Sequence, residues 1–295
     1  MTFSSDITDL IKFAFSWVKE KSYWTLYLIF AVLYFFMNLL DVTSFTKLFD
    51  FQTTGIIAAF AVVFFYIAVI MLLVYFALKL LFKVMLLKFS KVREFNISTV
   101  LGLIAIGITE LLAAVFSVFE LKWLVLLVIG IVFAIGAVLS MSNTILAIAL
   151  GIFAALPFVA YFVIVMRNSM RLFAATGLYL EGGKILESLS VSWNITCRKA
   201  LKIFALVLVE LAIVYAFTLV ELIPQLVAGL SDLPFSFVGI PVRPLSALIS
   251  AIFSPALVII QTFFFVGIYA WIKSDAKTQL VLNVKKTPAK KAVKK

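Results

Sequence analysis

Histidine is absent from all 295 residues, and cysteine occurs once, at Cys197. The first absence removes the commonest metal and haem ligand and the general base suited to neutral pH. The second excludes an intrachain disulfide and any cysteine-rich zinc or iron–sulfur site. Charge is scarce too, at 13% of the residues, where soluble domains carry roughly a quarter. The chain has no G-x-x-x-x-G-K-[ST] phosphate loop, no G-x-S-x-G elbow and no H-E-x-x-H pair. We therefore expect no enzymatic activity, no cofactor and no metal.

What the chain has in excess is apolar sequence. Hydrophobic residues make up 65% of it, and its mean hydropathy is +1.20. They gather into runs long enough to cross about 30 Å of hydrocarbon at about 1.5 Å per residue. Six runs, 23–40, 56–78, 97–119, 144–166, 201–223 and 245–271, are long enough to span, and a seventh, 123–139, has 17 residues and is borderline. The fold class read from this is all-α, a polytopic transmembrane helical bundle. A seventh apolar helix is re-entrant or spans. The four prolines Pro224, Pro234, Pro241 and Pro244 predict an irregular loop over 224–244.

Residues 6–20 alternate as an amphipathic helix, with Ile7, Leu10, Ile11, Ala14, Trp17 and Val18 opposite Asp6, Asp9, Lys12, Ser16 and Lys19. Residues 1–22 are thus expected to lie in the headgroup plane ahead of a transmembrane domain at 23–272. Residues 273–295 hold eight lysines and read as a disordered basic tail. Anionic lipid headgroups are its expected partner rather than RNA or the ribosome.

Orientation follows from the basic residues. Those at 12–21, 79–93, 167–202 and 273–295 comprise 22 of the 25, and Lys47, Lys122 and Arg243 are the rest. Basic loops stay cytoplasmic, which puts both termini and the 79–96 and 167–200 connections inside a plasma membrane. Two inside connections require an even number of crossings between them, so the 123–139 run is expected not to cross, giving six crossings.

Charged residues deep in a bilayer are functional suspects. Glu110 lies about 20 Å along the 97–119 helix and Glu210 about 14 Å along the 201–223 helix. Glu221, eleven residues after Glu210, returns to nearly the same face. These three acids could line a path for a proton or cation, or act as hydrogen-bonding glue between helices. Small residues at Ala147, Gly151 and Ala155 suit close helix approach, and Gly102, Gly107, Gly130 and Gly136 are expected to loosen their helices. Pro157 is expected to kink its own.

The most distinctive stretch is 174–209, AATGLYLEGGKILESLSVSWNITCRKALKIFALVLV. Gly182 and Gly183 break it. Ile185, Leu186, Leu189, Trp193 and Cys197 then make an apolar stripe opposite Lys184, Glu187, Ser188, Ser192 and Asn194, as in a short interfacial helix. Arg167, Arg171, Lys184, Trp193, Arg198 and Lys199 form the candidate cytoplasmic interface. The Glu187-Ser188-Leu189 to Ser192-Trp193 core resembles the E-S-L-x-x-S-W-like connector of a prokaryotic superfamily of multi-pass proteins. That superfamily includes the membrane domain fused to glycerophosphodiester phosphodiesterases. The resemblance covers about 50 residues and implies a six-span core with a cytoplasmic interfacial helix. It does not imply phosphodiesterase activity, since these residues contain no counterpart of the catalytic domain.

Three functions fit these readings. The first is a membrane scaffold or accessory subunit that organises lipid or a membrane-protein partner, which could be a second copy of itself. The second is a small proton- or ion-coupled transporter or channel using Glu110 and Glu210. The third is a lipid-handling protein that holds acyl chains between the 144–166 and 201–223 helices.

Overall fold

The computed structural model describes residues 3–39, 56–116, 121–230, 236–237 and 240–286. Helices follow the apolar runs: α1 (Phe3–Ala14), α2 (Lys21–Leu39), α3 (Ile56–Lys88), α4 (Ile97–Phe116), α5 (Leu121–Leu139), α6 (Thr144–Leu172), α7 (Ala175–Leu180), α8 (Ile185–Thr196), α9 (Ala200–Leu230) and α10 (Val242–Lys286). One 3-10 turn, Ser16–Lys19, lies between α1 and α2, and Ser236–Phe237 pairs with Ile240–Pro241 in a two-residue antiparallel bridge. Among the described residues, four stretches are long and apolar enough to span a bilayer: Val63–Lys88, Thr144–Leu180, Ala200–Val220 and Ala247–Ser274. Ile97–Ala113 and Val128–Leu139 are apolar but shorter.

Several helices overrun their expected ends. α9 passes through Pro224 to Leu230, and α10 begins at Val242, so the irregular segment is shorter than 224–244. One proline removes one N–H donor, and Gln225, Leu226, Val227 and Ala228 behind it are all compatible with a helix. Pro244 falls in the first turn of α10, where an N–H has no acceptor to lose. α10 then continues to Lys286, into the tail expected to be disordered from 273, because neither glycine nor proline intervenes before Pro288. The remainder of the tail, 287–295, lies outside the described residues.

The chain folds as two compact units, Met1–Ser90 with Leu206–Ala270, and Lys91–Ala205 with Trp271–Lys295. In the first unit, α1 packs closely on α10: a Cβ at Gly267 would meet the tip of the Leu10 side chain, which would have to shift. Leu10, Ala14 and Trp17 are buried there, whereas Val18 is exposed. Tyr23 and Phe13 both set their rings on Phe263, with centroids 5.2 and 5.1 Å away. Lys83 and Lys88 lie over the rings of Tyr23 and Phe13 at 4.4 and 4.3 Å. Polar ties are few. Tyr27 Oη donates to the Ile252 carbonyl at 2.8 Å, and Asn38 Nδ2 donates to Ser250 Oγ at 3.0 Å.

The second unit is built on a hairpin of α5 and α6 and a core of Ile106, Leu172, Ala175, Tyr179 and Leu189. Asparagine caps open two of its helices: Asn96 Oδ1 accepts from the Thr99 N–H at 2.8 Å, and Asn143 Oδ1 from the Leu146 N–H at 3.3 Å. α6 continues across Pro157, whose buried ring sits against Gly130. Glycine here fits helices together rather than loosening them: a Cβ at Gly130 would lie 3.0 Å from Pro157 Cβ, and one at Gly102 would overlap the Tyr179 hydroxyl. The Ala147-Gly151-Ala155 stripe plays no such part, since Gly151 faces open space among the described residues.

These contacts separate two glycines of one helix. Gly102→Ala should displace Tyr179 and destabilise the protein by roughly 1–3 kcal/mol, the range for overpacking. Gly107→Ala, facing open space, should be neutral or stabilise by up to about 1 kcal/mol through helix propensity. Thermal unfolding in detergent, followed by circular dichroism, measures both.

Candidate functional site

α6 ends at Leu172, and a helix end leaves its last carbonyls without partners. The Arg171 carbonyl is supplied by α8. Ser192 Oγ donates to it at 2.9 Å, and Thr196 Oγ1 lies 2.6 Å from it. The four-residue spacing puts both hydroxyls on one helical face. The Arg171 side chain closes the same junction: its guanidinium sits 3.7 Å from the Trp193 ring centroid, and Nη2 donates to Cys197 Sγ at 3.0 Å.

The expected face of α8 is kept in part: Leu189 joins the core and Ile185 and Trp193 pack against it, but the hydroxyls of Ser188 and Ser192 are buried beside them. Its buried residues are Ser188, Leu189, Ser192 and Thr196, while Leu186 is 75% exposed and Cys197 is exposed too. The hydroxyls turn inward because a carbonyl needs them there; the missing side chain of Gly183 also leaves room for Ser188.

A second junction closes α7. Gly182 adopts φ +109°, the left-handed conformation that ends helices, and turns the chain away. Arg93 fills the space behind it. Its N–H donates to the Leu180 carbonyl at 2.7 Å, Nε to Tyr179 O at 2.9 Å, and Nη2 to Gly183 O at 3.1 Å. The guanidinium also lies 4.5 Å from the Tyr179 ring centroid. Beside it Lys273 pairs with Glu181. Lys199, 5% exposed, donates to the Ile272 carbonyl at 3.3 Å.

The six expected interface residues therefore divide. Arg171, Trp193 and Lys199 serve these internal junctions, and Arg167, Lys184 and Arg198 are exposed. Arg93, Ser192, Thr196 and Tyr179 were not singled out by the sequence reading as a junction. The available signal was the i, i+4 spacing of the two hydroxyls. Of the three acids, Glu110 is half-buried in α4 and accepts from Thr176 Oγ1 of α7 at 3.3 Å. Glu210 is half-buried in α9, belongs to the other unit, and has no hydrogen bond or ion pair among the described residues. Glu221 lies in α9, its side chain outside the described residues.

The last feature is a cleft of about 250 Å³ where the end of α6 meets the start of α9. Phe162, Val163, Met166, Met170, Leu201 and Phe204 supply apolar walls, with Ala200 and one cation, Arg167. Among the described residues Arg167 makes no hydrogen bond or ion pair.

Removing the α8 donors tests the first junction. Ser192→Ala and Thr196→Val should each destabilise by about 1 kcal/mol. The double variant should lose less than the sum, since both hydroxyls serve one carbonyl. Chemical unfolding in detergent reads the cycle. Compared with known proteins, the chain matches no family model, no curated protein and no solved structure.

Proposed function

We propose that the chain is an integral membrane scaffold or accessory subunit that organises lipid or a partner complex and catalyses no reaction. It would be a multi-pass protein of a prokaryotic plasma membrane, with six crossings, both termini cytoplasmic, and its connector related to the superfamily of the phosphodiesterase membrane domain. One observation carries the reading: Ser192, Thr196 and Lys199 turn inward to helix carbonyls, while Arg167, Lys184 and Arg198 stay exposed. Such a connector is rigid and presents cations, which suits docking to headgroups or to an acidic partner face. The distribution of basic residues supports the orientation. In this reading α1 and α8 lie at the membrane surface, and α5 enters the bilayer without crossing it.

A transporter is the second reading, favoured by Glu210, an acid in an apolar helix without a polar partner among the described residues. An isolated carboxyl at that depth is costly and suggests exchange with a proton or cation.

Two measurements decide. Thiol labelling of Ser142→Cys and Lys184→Cys in a Cys197→Ser background should modify the first from outside and protect the second. Exposure of residue 184 contradicts six crossings. Proteoliposomes carrying a pH-sensitive dye should show no protein-dependent flux under an imposed proton or cation gradient. Glu110→Gln and Glu210→Gln should leave this baseline unchanged. A flux present in the natural protein and lost in Glu210→Gln refutes the scaffold and establishes the transporter.

A further inference from the structure

We propose that the cleft between α6 and α9 is a binding site for one anionic diacyl phospholipid, its phosphate on Arg167 and part of one acyl chain among Phe162, Met166, Met170 and Phe204. The proposal rests on the chain being embedded in a bilayer, and it adds a ligand and a recognition residue to that reading.

The first argument is shape and chemistry. Apart from Arg167, the walls are aliphatic or aromatic, and the volume of about 250 Å³ falls below the range of pockets that enclose a whole small molecule. A cleft of this size takes a segment of a flexible chain whose remainder lies outside. Phe162, Val163 and Leu201 are 61%, 57% and 84% exposed, so the apolar wall opens outward rather than into the protein. That suits a ligand entering from the bilayer.

The second argument is charge. Residues 162–171 and 198–204, which carry the cleft, include Arg167, Arg171, Arg198, Lys199 and Lys202 and no acid. Arg171 is stacked on Trp193 and Lys199 is directed at a carbonyl. Arg167, bordering the apolar walls, makes no ion pair among the described residues. A guanidinium binds phosphate through paired N–H donors, and it does so here where an apolar wall meets a basic connector. A neutral lipid supplies the chain but not the charge. A soluble anion supplies the charge but leaves the walls exposed.

Native mass spectrometry of the full chain tests this, with phosphatidylglycerol and phosphatidylcholine of identical acyl chains added in equal amounts. The natural protein should retain one phosphatidylglycerol, preferred about fivefold or more, the factor for one cation near an anionic headgroup. Arg167→Gln should abolish the preference while leaving residual binding of either lipid. Val163→Trp, at an exposed wall position, should fill the cleft and lower retention of both. Equal retention of the two lipids by the natural protein overturns the proposal, as does a preference that survives Arg167→Gln, or a second copy of the chain retained in place of lipid. Flotation of each variant with liposomes separates the two levels. Failure to float refutes membrane embedding, whereas flotation without lipid preference refutes this site alone.

Discussion

A helix that ends inside a packed protein leaves carbonyls that water reaches poorly, and each needs a donor from elsewhere in the chain. That requirement organises the second unit. The chain has no histidine and only 25 lysines and arginines, so its donors are few. Arg93 closes α7, while Ser192 and Thr196 supply the end of α6. Lys199 is directed at Ile272, in the continuing α10. On α8 these inward donors share the buried side with Leu189, and Leu186 faces outward.

The same junctions set the packing around Tyr179. Its carbonyl accepts from Arg93, its ring lies under that guanidinium, and its side chain joins the core with Ile106 and Leu189. The ring then needs space on α4, which Gly102 provides. One turn residue, Gly182, supplies the positive φ that lets the carbonyls of Tyr179 and Gly183 reach the same arginine. Local conformation, hydrogen bonding and core packing are therefore coupled through a single aromatic side chain.

This coupling explains what was legible in the sequence. Seven apolar runs became helices near their expected positions, because burying or dissolving apolar side chains in lipid depends on composition over many residues, which a sequence displays directly. Helix ends were less legible. A single proline such as Pro224 removes one hydrogen bond and does not by itself end an apolar helix. The face of α8 was legible at Ile185, Leu189 and Trp193 but not at Leu186 and Ser192, because periodicity ranks side chains by hydrophobicity and does not register a serine donating to a carbonyl. Glu110 was marked by its depth, but its partner Thr176 is 66 residues away, and nothing in the linear order pairs them.

Arg167 and Arg171 show how far placement decides the fate of identical residues. They lie four apart on α6 and so share a face. α8 covers Arg171 and offers it Trp193, whereas Arg167 borders walls that hold no acid. A guanidinium stays charged at any physiological pH, so protonation cannot relieve it as it could a carboxyl. The two segments that carry the cleft hold no acid, and among the described residues Arg167 makes no ion pair, which leaves it open to an anion from outside. In a bilayer, the anion that meets an arginine at the edge of an apolar cleft is attached to an acyl chain.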